Sequence, residues 1–96
     1  MRLEQLEYLA AVTRHGSLRR AGEHLHVSQP ALSEALVKLE RELGVTLLDR
    51  SRSGTRISRR GADLLPLMTD VLQAAQRLRE AARAGPDADR RSRPDQ

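Results

Sequence analysis

The 96-residue sequence predicts a mainly α fold: a three-helix core with a two-stranded wing, followed by one long helix. Three observations predict it. Leu32, Leu36, Leu39 and Leu43 recur at i, i+4, i+7 and i+11, a single helical stripe facing a core. The stretch SLRRAGEHLHVSQPALSEALVKLEREL, Ser17 to Leu43, divides into two helices around a tight turn. From Leu64 to Ala82, apolar residues recur three and four apart without interruption.

The elements follow in order. Helix 1 runs from Leu3 to about Arg14, with Leu6, Leu9, Ala10 and Val12 facing inward. Gly16 ends it, and Ser17 caps helix 2, which runs from about Leu18 to Leu25. Ala21 and Gly22 are small enough for the next helix to approach closely. Ser28 caps helix 3, and Pro30 sits in its first turn, where a missing N–H costs little. Gly44 closes that helix after Leu43. Leu47 to Arg50 and Thr55 to Ser58 read as short strands, with Ser51-Arg52-Ser53-Gly54 as the turn between them. Ser58 then caps helix 4, which runs to about Ala84.

Helix 4 carries Leu64, Leu65, Met68, Val71, Leu72, Ala75, Leu78 and Ala82. So small a core cannot cover that stripe, so a second copy is expected on it, with Leu65, Met68, Leu72 and Ala75 as the contact. The alternative is a helix folded back on its own domain. Pro66 should kink this helix or loosen one turn. Beyond Ala84 the chain reads GPDADRRSRPDQ, which predicts a disordered tail over residues 85–96. The organisation is therefore a core with a wing over residues 1–58, a linking or dimerising helix over 59–84, and the tail.

Composition narrows the function. Seventeen Lys and Arg face 13 Asp and Glu, a net charge of +4, and the sequence pI is near 10.9. That balance favours polyanions without identifying one. Only Lys38 among the basic residues is not arginine, a skew that suits phosphate and guanine edges but also follows from GC-rich codons. The sequence has no cysteine, which excludes disulfides, cysteine-bound zinc and a thiol nucleophile. No apolar run reaches membrane-spanning length and no signal peptide is visible, so the cytoplasm is the expected location. His24 and His26 stand two apart, which on a helix points them away from each other. With His15 they read as surface or turn residues. No HExxH, phosphate-binding glycine loop or nucleophile elbow occurs, so no enzyme, metal or cofactor is expected.

The candidate chemistry lies at helix starts and on the wing. Gln29, Ser33 and Val37 should fall opposite the leucine stripe. A glutamine amide pairs bidentately with adenine N6 and N7, a serine hydroxyl serves either class of base, and Pro30 offers an apolar surface to a thymine methyl. Ser17 and Ser28 are caps first, and the N–H groups exposed at helix starts also attract phosphate. Arg50, Arg52, Arg56, Arg59 and Arg60 put five positive charges into eleven residues without an acid. With Lys38 they form the candidate phosphate set, although a charge run is often only a solvated face. On the helix pair alone, a small helical bundle fits as well.

The motifs resolve that choice. Leu25-His26-Val27-Ser28-Gln29-Pro30-Ala31-Leu32-Ser33, Leu39-Glu40, Glu42-Leu43-Gly44-Val45 and Leu47-Leu48-Asp49-Arg50 occur in order, after Leu3-Glu4-Gln5-Leu6, Gly16-Ser17 and Ala21. Over residues 1 to about 80 the chain resembles the LysR-type transcriptional regulators of bacteria. The resemblance implies a winged helix-turn-helix DNA-binding domain followed by a long dimerisation helix. It implies a dimer on an inverted-repeat operator in double-stranded DNA, with higher oligomers open to a full-length form. It also implies that the start of helix 3 enters the major groove, and that Arg50 matches an arginine the family keeps at the end of its first wing strand.

Departures from the family pattern matter too. Glu34 and Ala35 stand where basic or amide residues are common, so Glu34 either repels phosphate or accepts from cytosine N4. Leu18 replaces a common aromatic and Gly22 a common alanine, both weakening helix 2 packing. Arg59 and Arg60 replace an acidic-small pair, leave Ser58 without a capping-box glutamate, and oppose the helix dipole. The family's longer effector-binding domain has no counterpart here, so a fragment and a stand-alone protein are both open, and no small-molecule effector is expected on this segment. The competing function is a helical interaction module that pairs with a full-length regulator, for which the arginine wing would be unnecessary.

Overall fold

The computed structural model describes residues 1 to 51 and 54 to 85. Helices α1 (Leu3–His15), α2 (Leu18–Leu25) and α3 (Gln29–Leu43) precede strands β1 (Leu48–Ser51) and β2 (Gly54–Ile57) and helix α4 (Arg59–Ala84). Arg52 and the expected tail, Gly85 aside, lie outside the described residues.

Local capping chemistry sets the helix boundaries. The hydroxyls of Ser17, Ser28 and Ser58 accept the N–H groups of Arg20, Ala31 and Gly61 at 3.0, 3.2 and 2.9 Å. Gly16 and Gly44 adopt φ of 77° and 68° and return their N–H groups to the carbonyls of Val12 and Glu40. α2 ends differently: His26 takes the left-handed conformation at φ 59°, one that few side chains adopt. The N–H of Val27 then reaches the carbonyl of Gly22 at 3.0 Å, which tightens the turn into α3.

The core gathers Leu6, Leu9 and Val12 of α1, Ala21 of α2, Leu32, Leu36 and Leu39 of α3, Leu47 and Leu48 at the wing, and Met68 of α4. Two expectations need correction. Ala11 is buried and Ala10 only partly, because α1 packs against both α2 and α3 and its buried arc is wider than one stripe. Leu43, expected in the core, is 37% exposed. It is the last residue of α3 and lies at the rim, beside Met1, Leu67 and Val71.

β1 and β2 pair antiparallel with Leu48 opposite Ile57 and Ser51 opposite Gly54. The ladder is displaced by one residue from the expected strand limits. Ser58 joins wing to helix. Its N–H donates to the Leu47 carbonyl at 2.7 Å and its hydroxyl to the Thr46 carbonyl at 2.5 Å.

Two glycines permit close backbone approach. A Cβ at Gly22 would lie 2.8 Å from the Val27 carbonyl oxygen, and one at Gly61 would lie 2.5 Å from that of Leu47 and 2.8 Å from Ile57 Cγ1. Gly22 therefore does not weaken helix packing as expected; it makes room for the turn. Gly→Ala inside a helix ordinarily stabilises by up to ~1 kcal/mol. Here the sign should reverse: Gly61→Ala is expected to lower unfolding stability by about 1–3 kcal/mol. A denaturant midpoint at or above the parent's would show that the wing shifts freely.

α4 is one unbroken helix across Pro66. Its apolar residues form two adjacent stripes rather than one. Met68 is 6% exposed, and Leu64, Leu65 and Leu72 pack against the core of their own domain. So Leu65, Met68 and Leu72 pack wholly or partly on their own domain, Ala75 is half-buried, and the most exposed large apolar side chains of α4 lie on the neighbouring stripe. The uncovered stripe is Leu67 at 61%, Val71 at 40% and Leu78 at 71% exposure, with the exposed Ala74 and Ala81 between and beyond them. From Gln76 to Ala84 every residue is exposed. The helix has roughly 39 Å of length at ~1.5 Å per residue, in a molecule measuring 57 × 26 × 20 Å.

Candidate nucleic-acid interface

α3 presents its start to solvent. Leu32, Leu36 and Leu39 anchor one side in the core. With Ser28 as cap, Gln29 and Pro30 occupy the first turn and both are exposed. Ser33 and Val37 are half-buried on the flank, not opposite the core as expected. At ~100° per residue the direction opposite the leucines belongs to Pro30, Glu34 and Arg41. The side chains of Glu34 and Lys38 are 69% and 63% exposed, and Lys38 Nζ lies 3.3 Å from Glu34 Oε1, one turn along.

Arg19, Glu23, Ser28 and Gln29 line a shallow depression between α2 and the start of α3. Arg19 lies 3.4 Å from Glu23. Sequence reasoning did not single out Arg19; its signal was a cation one turn before the close approach at Gly22. Ser17 is half-buried at the start of α2, where its hydroxyl is occupied by the cap.

The wing arginines divide by role. Arg56 and Arg59 are exposed, and Arg56 stands opposite Asp49 in the ladder. Arg56 lines a separate depression with Thr13, Gly16 and Thr55. Arg60 lies 3.8 Å from Asp63, one turn along, so the charge at this helix start is partly offset. Arg50, 40% exposed, has Nη1 3.8 Å from Glu40 Oε1. Its partner is therefore Glu40, not the adjacent Asp49.

Glu40 is the principal residue the sequence reading missed. Its side chain is 14% exposed. Oε2 accepts the N–H groups of Leu47 and Leu48 at 2.7 and 3.1 Å. One carboxylate of α3 thus holds the entry to β1 and, through Oε1, the guanidinium of Arg50. Gln5 makes a comparable link. Its Oε1 accepts the Arg2 N–H at 2.8 Å and its Nε2 donates to the Ala35 carbonyl at 3.3 Å, which fixes the start of α1 beside α3. His15 also differs from expectation. It is half-buried, its ring centroid lies 4.6 Å from that of His24, and its Nε2 is buried.

Three helices, a two-stranded ladder and an exposed polar helix start define a winged helix-turn-helix module. The chain belongs to the lysR family of bacterial regulatory helix-turn-helix proteins, whose model matches residues 3–62. It is 44% identical over 91 residues to the HTH-type transcriptional regulator PcaQ of Agrobacterium fabrum, covering 90% of this chain and 29% of that protein. A Cys-to-Asp variant of full-length OxyR from Pseudomonas aeruginosa superposes with a TM-score of 0.84 at 41% identity, over 88% of this chain and 29% of that one. A DNA complex of the CbnR DNA-binding domain superposes with a TM-score of 0.82 at 37% identity, over 88% and 97% of the two chains. The chain spans less than a third of the length of the curated relatives it matches, 29% of PcaQ and 27% of Escherichia coli OxyR. No helix among the described residues is long and apolar enough to cross a membrane.

Proposed function

We propose that this chain is the DNA-binding and dimerising part of a bacterial transcriptional regulator acting in the cytoplasm. Two copies bind an inverted repeat in double-stranded DNA. The start of α3 enters the major groove, where Gln29, Pro30, Ser33 and Glu34 meet base edges. Ser17, Ser28, Lys38 and the arginines Arg50, Arg52, Arg56, Arg59 and Arg60 meet phosphates or the minor groove. The observation that carries this reading is the exposed, capped and polar start of α3, seated on a buried leucine stripe. The likeness to the CbnR DNA-binding domain supports it. The chemistry asked of these residues is recognition, and no reaction is assigned to them.

Salt-titrated binding to a selected DNA site tests the proposal. Log affinity should fall linearly with log salt, by about 0.9 per phosphate neutralised. Arg56→Ala with Arg59→Ala should weaken specific and random DNA about equally and reduce that slope. Gln29→Ala should lose about 1–3 kcal/mol on the selected site and far less on random DNA. Binding that ignores salt would remove the phosphate contacts from the proposal. Equal losses for Gln29→Ala on both kinds of DNA would make that residue structural.

A further inference from the structure

We propose that Glu34 is a specificity-determining residue that selects a cytosine in the half-site. The inference rests on the DNA-binding reading above and deepens it. Glu34 stands nearly opposite the buried leucines, on the outermost line of α3, where a groove-bound helix meets base edges. Its side chain is 69% exposed, so no internal hydrogen-bond network accounts for it. A carboxylate on that line would ordinarily be repelled by phosphates. Here Lys38 Nζ lies 3.3 Å from Oε1, and Arg2 lines the same shallow groove between the start of α1 and α3. Glu4 and Glu42 line that groove as well, the latter paired with the N-terminal ammonium at 2.8 Å, so Lys38 is the cation that directly offsets the charge of Glu34.

The chemistry of the acceptor decides the base. An ionised carboxylate only accepts hydrogen bonds. In the major groove the donors are cytosine N4 and adenine N6. Adenine places the N7 acceptor beside N6, and that lone pair opposes the second carboxylate oxygen. Cytosine has a C–H in the neighbouring position and no such acceptor. Guanine offers N7 and O6, both acceptors, and is the least tolerated. The preferred contact is therefore a C·G pair with its cytosine on the strand facing α3.

Selection of DNA from a randomised half-site library, followed by competition titration, tests this with the parent chain, Glu34→Ala and Glu34→Gln. All three should melt alike, since the side chain is exposed. The parent should enrich a motif with one C·G pair whose replacement lowers affinity by about 5- to 150-fold, the range of one good base contact. Glu34→Ala should lose that preference alone and keep the rest of the motif. Glu34→Gln should move it towards adenine, which an amide matches at N6 and N7. If Glu34→Ala selects the parent's motif unchanged and binds every sequence more tightly, the carboxylate only repels phosphate and the inference is overturned. A parent that enriches no motif overturns the sequence-reading proposal itself, and this inference with it. The two failures are thus distinguishable.

Discussion

Glu40→Ala is expected to lower the unfolding free energy by about 3 kcal/mol, because it strands two backbone donors beside the core. The N–H groups of Leu47 and Leu48 both donate to Oε2, and Leu47 and Leu48 are 0% and 2% exposed. Hydrogen bonds to a charged acceptor contribute about 1.5–3 kcal/mol each. The ion pair to Arg50 adds little, because 3.8 Å and 40% exposure leave it screened. For a domain of this size the loss corresponds to roughly 12–24 °C in melting temperature. Glu40→Gln is the control. Its amide oxygen still accepts an N–H, so the expected loss is about 1 kcal/mol. The ladder to β2 and the two bonds from Ser58 remain in both variants, so the wing loosens at its entry without detaching. A Glu40→Ala melting temperature within a few degrees of the parent's would show that water satisfies both donors.

The readability of the chain follows the range of each interaction. Ser17, Ser28 and Ser58 act on N–H groups three residues ahead, so their capping roles were visible from spacing alone, as were Gly16 and Gly44. His26 closes α2 without glycine or asparagine to announce it, because the bonds from the turn back to α2 hold the left-handed conformation. Glu40 was hidden because its partners lie seven and eight residues away across a helix end, where periodicity says nothing. Gly61 was hidden for the same reason: the carbonyl that excludes a side chain there belongs to Leu47.

Within the candidate site, Gln29 and Pro30 lie exposed in the first turn that the cap at Ser28 fixes, but Gln29, expected opposite the leucines, falls about 60° from Leu32 at ~100° per residue. Ser33 was displaced to the flank because the outer face is set by the mean direction of Leu32, Leu36 and Leu39, not by Gln29. α4 shows the deepest ambiguity. Its sequence carries two apolar stripes side by side, and only the packing of α1 decides which one the domain keeps for itself. The broad amphipathic pattern predicted an uncovered surface but not its residues.

That uncovered surface sets the second large effect. Leu67→Glu with Leu78→Glu is expected to convert a dimer to a monomer and to lower operator affinity by about 10²–10⁴-fold, the advantage of joining two half-site contacts. Leu67, Val71, Ala74, Leu78 and Ala81 alternate at intervals of four and three, the spacing of a paired-helix seam. Leu67 and Leu78 are the most exposed of its large side chains, at 61% and 71%. Neither belongs to the domain core, so both charges should be tolerated in the monomer, and the melting curve at low concentration should stay near the parent's. Leu65→Glu with Leu72→Glu is the contrasting pair. Those residues pack on the core, so that variant should lose fold stability first. Sedimentation and DNA titration on the two double variants separate the stripes. A parent that sediments as a monomer at high micromolar concentration would contradict self-association through α4. A Leu67→Glu, Leu78→Glu variant that stays dimeric would move the seam elsewhere, back towards Leu65 and Leu72. If the variant is monomeric yet binds a single half-site with the parent's affinity for that half-site, the domain's own contacts are intact and the lost factor belongs to dimerisation alone.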